Sequence, residues 1–281
     1  MKINRAEIRE LYIQDPIKAL DNIVEPIEEL KFEIVNWITD YAARFGIKNA
    51  VVGLSGGIDS SVIGHLVTDA FGKDNVYGLI MPSNSNPSQD EKHGKLIAET
   101  LGINYETISI ENTITSAREN SPGYFEGNTP NGNLKARFRM ILLYDKAWKV
   151  NGLVVGTDNK SENLTGYFTK FGDGGVDINP IEELYKTQVR KLAKHLGVSN
   201  EIIEKQPSAG LYLNQTDEGE MGMSYRDLDS ILFGKELGFS NNEIKKYARV
   251  SEQQIQKVER LVVKSEHKRH LPPNPEVMQY V

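Results

Sequence analysis

The sequence predicts an α/β fold: a doubly wound, mostly parallel sheet flanked by helices, with extra helices toward the C-terminal end. Three observations lead there. Short apolar runs of strand length alternate with longer segments of helical spacing. The first run passes directly into a glycine-rich turn, Leu54-Ser55-Gly56-Gly57-Ile58-Asp59-Ser60-Ser61, and from there into a helical pattern. Beyond Pro180 helical patterns follow, interrupted by one loop, and no further strand is read.

The elements read in order as follows. Pro26 to Phe45 carries Ile27, Leu30, Ile34, Trp37, Ile38, Tyr41 and Phe45 at helical spacing, with Pro26 at a permitted first position and Gly46 as the stop. Ala50 to Leu54 is a buried strand, and Val62 onward a helix. Asn75 to Met81 is the second strand. Ser88-Gln89-Asp90-Glu91 forms a capping box that opens a helix ending near Gly102. Asn104 to Ile110 is the third strand, Glu111 to Asn120 a short helix, and Ser121 to Asn133 a loop. Leu134 to Val150 is helical, and Leu153 to Gly156 is the fourth strand. Ser161 to Asn179 has little periodicity; such a run inside a compact domain is usually functional. Pro180 opens a helix over Ile181 to His195, Gln206 to Gly222 reads as a mobile loop, and helices cover Tyr225 to Leu237, Asn242 to Val250 and Glu252 to Ser265. No repeat and no linker divides the chain, so residues 1–281 are expected to form one domain.

Ligands of parallel sheets sit at the carboxyl ends of the strands. The Ser55 turn and Thr157-Asp158-Asn159-Lys160 both follow strands directly and so face one pocket. In the turn, converging backbone N–H groups and a helix N-terminus make an anion site, and Gly56 and Gly57 let the backbone approach an oxyanion closely. Asp59 would repel phosphate unless it holds Mg²⁺, which bridges carboxylate and phosphate oxygens. The turn lacks the Gly-Lys-Ser/Thr of a Walker loop and the spacing of the dinucleotide fingerprint. An ordinary strand-to-helix turn of small residues is the alternative.

Composition bounds the function. The chain has 281 residues, 39% of them hydrophobic and 26% charged, enough for one large domain, and a net charge of −6 that argues against a basic nucleic-acid surface. The absence of cysteine excludes disulfides, thiolate metal sites and a cysteine nucleophile. Without a long apolar run or a signal-like N-terminus, the expectation is a cytoplasmic protein with no membrane association.

The Ser-Gly-Gly-Ile-Asp-Ser turn resembles the pyrophosphate loop of the N-type ATP pyrophosphatases. Gly156-Thr157-Asp158-Asn159-Lys160-Ser161-Glu162, the run Phe168 to Asp177, Gly132 to Met140, and Glu266-His267-Lys268-Arg269 extend the likeness, and together they resemble ammonia-dependent NAD synthetases. That resemblance implies two steps. Deamido-NAD attacks the α-phosphate of ATP to give an acyl-adenylate and pyrophosphate, and ammonia then displaces AMP. It also implies a homodimer, with Ile27 to Phe45 and Leu134 to Trp148 as candidate contact faces that fit an intrachain core equally well. Glutamine-dependent relatives carry an extra domain with a nucleophilic cysteine, so free ammonia is the expected nitrogen source here.

By the same resemblance, Gly53, Leu54, Ser55, Gly56, Gly57, Ile58, Asp59, Ser60, Thr157, Lys186 and Ser208 contact ATP, Ser208 standing where relatives often have threonine. Asp59 and Glu162 hold Mg²⁺. Arg137, Lys170, Asp177, His267 and Lys268 contact deamido-NAD, and Asp173 handles the ammonium proton. Taken singly, each has a plainer reading: Arg137 and Lys186 as surface charge, Asp173 as a turn residue before glycine, His267 and Lys268 as a basic helix end. Ile80-Met81-Pro82 departs from the pattern, since an arginine is expected after the second strand. Other acceptors for an ATP pyrophosphatase, or a nucleotide-binding module without catalysis, are the competing functions.

Overall fold

The computed structural model describes residues 4–212 and 215–275. Four parallel strands, β1 (Asn49–Gly53), β2 (Val76–Ile80), β3 (Asn104–Thr107) and β4 (Gly152–Val155), stand side by side in the order β3-β2-β1-β4. Val51 pairs with Tyr77 on one side and with Val154 on the other. A single parallel bridge from Val155 to Ile178 extends the sheet beyond β4.

The helices are α1 (Arg5–Gln14), α2 (Pro16–Ile23), α3 (Ile27–Arg44), α4 (Ile58–Phe71), α5 (Ser88–Leu101), α6 (Glu111–Glu119), α7 (Asn128–Val150), α8 (Lys160–Thr165), α9 (Lys186–His195), α10 (Asn200–Ile203), α11 (Asp217–Met221), α12 (Tyr225–Glu236), α13 (Asn241–Ala248) and α14 (Glu252–Ser265). None of the described helices is long and apolar enough to cross a membrane.

Strand side chains alternate between faces, and the core follows that alternation. Ala50, Val52, Val76, Ile80, Leu153 and Val155 join α3, α4, α5 and α9 in one cluster. Val51, Leu79 and Val154 join α6 and α7 in a second, on the opposite face. The expected double winding is therefore present. A third cluster, built from α1, α2 and the late helices, surrounds Tyr12, which is fully buried, stacks on Phe239 and donates to the Ser230 carbonyl at 2.7 Å.

Several boundaries differ from the sequence expectations, each for a local reason. The helix expected from Pro180 starts at Lys186. Residues 180–184 form turns, and the first free amides of α9 are taken by buried side chains: Lys186 N–H by Ser161 Oγ at 2.9 Å and Thr187 N–H by Asp229 Oδ2 at 2.9 Å. Ser88 is not a capping residue, because Pro87 occupies the cap of α5 and no side chain closes it. Pro26 is likewise the cap of α3 and not its first residue. The run Ser161–Asn179 contains most of α8, closed by a capping box between Asn159 and Glu162 and ended by Gly166. Six residues are too few to show a helical period. Helix α7 begins inside the expected loop, at Asn128, with Pro130 in its first turn, where a missing N–H costs no hydrogen bond. The expected mobile loop contains α11, and residues 213 and 214 of it lie outside the described residues. Helices α1 and α2 stand outside the elements expected above; Asn4 and Asp15 cap them.

Candidate active site

The glycine-rich turn lies between β1 and α4, at the carboxyl end of the sheet. Its hydroxyls organise it internally. Ser55 Oγ accepts from the Gly57 N–H at 3.2 Å and sits 3.1 Å from Ser60 Oγ, while Ser60 and Ser61 donate to the Gly57 carbonyl at 3.0 and 2.7 Å. Gly56 has φ +73°, and a Cβ there would meet the Asp90 carbonyl oxygen at 2.2 Å. Only glycine fits, because α5 presses its first turn against the loop.

Asp59, in the first turn of α4, and Glu162, in the first turn of α8, converge on Lys186 at the start of α9. Lys186 Nζ is 2.6 Å from Asp59 Oδ2 and 2.8 Å from Glu162 Oε1. The Lys186 side chain is 2% exposed, against 17% and 13% for those of Asp59 and Glu162. Asn159 Nδ2 donates to the other oxygen of Asp59 at 3.0 Å. The hydroxyl of Tyr225 lies 3.2 Å from Glu162 and 3.1 Å from Asp217. Burial pushes the Glu162 carboxyl up to about 7 in spite of Lys186. Burial alone would lower Lys186, but Asp59 and Glu162 hold its pKa above the usual lysine range.

This donor set suits Mg²⁺. Two carboxylates meet around one cationic position beside an anion-binding loop, and Mg²⁺ is commonly held by one or two carboxylates with substrate phosphates completing its shell. Among the described residues no third carboxylate or imidazole joins them to make a self-sufficient cage.

A second group gathers where the Thr169–Asn179 segment meets the C-terminal end of α14. Arg137 Nη2 donates to the Lys170 carbonyl at 3.3 Å, and Lys170 Nζ donates to the His267 carbonyl. Lys268 Nζ donates to the carbonyls of Gly166 and Phe168 at 2.7 and 2.6 Å, and burial lowers its pKa. Arg137 and His267 are exposed. Asp173 is exposed as a residue, but the protein packed around its carboxyl end raises its pKa, the Thr169 N–H at 2.8 Å and Lys268 acting the other way.

The sequence-predicted residues thus form two groups: the Ser55 loop with Asp59, Glu162 and Lys186, and Arg137, Lys170, Asp173, His267 and Lys268. Thr157 follows β4 and makes no side-chain hydrogen bond among the described residues. Asp177 turns toward the sheet, accepting from Val154 N–H at 2.8 Å and Tyr144 at 3.1 Å. Ser208 is exposed and accepts from the Gly210 N–H; it reaches the first group only through Ala209, whose N–H donates to Asp217.

Comparison with known proteins gives the family. The profile of the NAD synthase family matches residues 30–272. The chain belongs to the NAD synthase family. It is 46% identical over 257 residues to the NH(3)-dependent NAD(+) synthetase of Methanocaldococcus jannaschii, covering 90% of this chain and 98% of that one. The counterpart from Methanosarcina acetivorans is 43% identical over 252 residues, with 89% and 98% covered. Among solved structures, the NMN synthetase of Francisella tularensis superposes with TM-score 0.80 at 38% identity, and the NH3-dependent NAD synthetase of Campylobacter jejuni with 0.75 at 29%. Each covers 89% of this chain and 98% of its own.

Within this NAD synthase fold, sequence reasoning missed several residues. Asn159 orients Asp59, and the asparagine-to-glutamate capping spacing before Glu162 was a readable signal. Lys205 and Asp229 gave none, since each acts across more than 40 positions of sequence. Arg139 donates to the Met81 carbonyl and to Asn86, both at 3.0 Å, and burial brings its pKa down to about 10. From α7 it delivers a guanidinium to the turn after β2, the turn in which the sequence lacks the expected arginine.

Proposed function

We propose that this chain catalyses the ATP-dependent amidation of deamido-NAD to NAD with ammonia, as an AMP-forming ligase acting in the last step of NAD formation. The observation that carries the reading is the meeting of Asp59 and Glu162 around Lys186 at the mouth of the Ser55 loop. An oxygen of the nicotinate carboxylate attacks the α-phosphorus, the bond to the bridging β-phosphate oxygen breaks, and pyrophosphate leaves. The nitrogen of ammonia then bonds to the acyl carbon, the bond from that carbon to the AMP oxygen breaks, and the nitrogen sheds its surplus proton.

Each step needs charge compensation or proton transfer that these residues supply. The N–H groups of the Ser55 loop, the start of α4 and Lys186 take the phosphates, with Gly53, Leu54, Ile58, Ser60, Thr157 and Ser208 completing the ATP site. Asp59 and Glu162 would hold Mg²⁺, which offsets phosphate charge when bound. Arg137, Lys170, His267, Lys268 and Asp177 receive deamido-NAD, and Asp173, its pKa raised, takes the proton that turns ammonium into the nucleophile. The whole chain acts as one catalytic domain in the cytoplasm. Exposed apolar side chains on α3 (Phe32, Trp37) and at its C-cap (Phe45), with Ile141 and Trp148 on α7, support a homodimer, to be tested by sedimentation of wild type against Trp148→Glu.

The deciding experiment gives the pure protein ATP, Mg²⁺ and ammonium with either deamido-NAD or nicotinate mononucleotide. NAD, AMP and pyrophosphate in equal amounts are expected with the dinucleotide. Preference for the mononucleotide, which the similarity to the Francisella NMN synthetase favours, would change the acceptor and leave the mechanism standing. ATP binding without turnover of either acceptor would overturn the proposal.

A further inference from the structure

Asp158 directly precedes Asn159, which orients Asp59, yet it belongs to neither group described above. It is only 6% exposed. It nevertheless accepts no hydrogen bond and forms no ion pair among the described residues, and its small open surface faces the cleft between the Thr169–Asn179 segment and residues 268–271. A Cβ built on Gly174 would lie 3.6 Å from Asp158 Oδ2 and 2.5 Å from the Phe168 ring, so glycine there leaves the carboxylate facing open space. Asn179 belongs to the same cleft, but its Oδ1, which also has no donor, is closed off from it and sits against Gly156.

The cations of the cleft do not fill this need. Lys268 is committed to the carbonyls of Gly166 and Phe168, Lys170 to that of His267, and Arg269 Nη1 to that of Leu164 at 2.9 Å. A buried carboxylate without a partner is costly unless a ligand satisfies it. Burial, with Asp173 and Glu162 nearby, raises the pKa of Asp158, and a small cation rich in N–H groups is the ligand that would hold it ionised. Phosphate and carboxylate groups are repelled from it. Mg²⁺ demands an octahedron of oxygens and is better served by Asp59 and Glu162 with ATP. Ammonium brings one positive charge and four N–H donors in a volume close to that of water.

We propose that Asp158 is the receptor for the ammonium ion. The assignment rests on the amidation reading above. It separates two tasks: Asp158 captures the cation, and Asp173, fifteen positions on in the facing turn, takes its proton.

The test uses the full chain, with ammonium titrated at saturating ATP and deamido-NAD. Asp158→Asn keeps the shape and removes the charge. The KM for ammonium should rise about 10- to 100-fold, the range expected for losing one charge-assisted contact. Pyrophosphate exchange into ATP, dependent on deamido-NAD, should persist. Hydroxylamine, already uncharged at neutral pH, should capture the acyl group nearly as fast as in wild type. Asp158→Glu should recover part of the ammonium affinity. An unchanged ammonium KM, or equal losses with ammonium and hydroxylamine, would overturn the assignment. Should Asp158→Asn not fold, wild-type crystals soaked in rubidium, a cation of ammonium size, decide: an anomalous peak beside Asp158 supports the site and its absence removes it. Failure of wild type to exchange pyrophosphate would instead overturn the amidation reading, and this assignment with it.

Discussion

The ammonium group of Lys205 lies 2.6 Å from the carbonyl oxygen of Gly56, and the same nitrogen reaches Asp90 Oδ1 at 2.9 Å. Because a trans peptide points its C=O and N–H in opposite directions, holding that carbonyl aims the Gly57 N–H to the other side, where it meets Ser55 Oγ. Lys205 therefore fixes the orientation of the peptide that sets the shape of the anion loop. Lys205→Ala should weaken apparent ATP affinity about tenfold or more, the loss expected for one charge-assisted hydrogen bond. Lys205→Arg should recover much of it. Isothermal titration with a non-hydrolysable ATP analogue reads the effect, and equal affinity of Lys205→Ala and wild type would count against the orienting role.

Gly56→Ala tests the other wall of the same loop. Its φ of +73° places a Cβ in the strained left-handed region and 2.2 Å from the Asp90 carbonyl oxygen. The backbone must shift, and a loss of roughly 2 kcal/mol or more in unfolding free energy is expected. Gly102→Ala is the control: it has a comparable φ of +66° in the left-handed region, and its Cβ would meet only Lys73 Cδ, at 3.5 Å. Urea unfolding should show the Gly56 variant as clearly the less stable of the two.

What was legible in the sequence follows from where the information lies. Strands β1, β2 and β4 and the loop after β1 were readable because burial on both faces makes the strands continuous apolar runs and the turn needs glycine in the chain itself. Asp59, Glu162 and Lys186 came from resemblance, and the structure brings them within 2.8 Å of one another's charged atoms through Lys186. The start of α9 was not legible. Pro180 marks a permitted helix start, but the amides that needed capping are satisfied by Ser161 and Asp229, 25 and 42 positions away. Local pattern carries no trace of such long-range caps. Asp158 was visible only as a member of a motif, because its lack of partners is a property of the packed molecule.

Lys186→Met should expose the balance of charge at the metal site. Without the ammonium group, Asp59 and Glu162 face each other with only Asn159 and Tyr225 as donors. Removing one partner of a buried ion pair costs roughly 3 kcal/mol. A divalent cation that binds between the carboxylates restores part of the loss by mass action. Denaturant unfolding with and without Mg²⁺ should show the variant gaining more from the metal than wild type does. Equal gains would place the Mg²⁺ contacts elsewhere. Turnover should stay low under both conditions, since Lys186 is also needed at the phosphates.

Asp229 links the two helix starts that carry this chemistry. It is fully buried, accepts from Ser161 Oγ at 2.5 Å and from Thr187 N–H at 2.9 Å, and so joins α12 to α8 and α9. Burial pushes its pKa from 3.8 up to about 6, the hydrogen bonds opposing the rise. An acid whose pKa is raised on folding binds its proton more tightly in the native state, so its stabilising effect is complete below the unfolded value of 3.8 and is lost as pH rises through about 6. Wild type should therefore lose up to roughly 3 kcal/mol relative to Asp229→Asn across that interval, with no further relative change above it. Asparagine does not titrate, so the variant lacks this slope whatever its absolute stability. Urea unfolding of both proteins at intervals from acid to neutral pH measures the difference. A gap that stays constant with pH would mean that Asp229 keeps an ordinary carboxylate pKa and that its hydrogen bonds from Ser161 and Thr187 fully offset its burial.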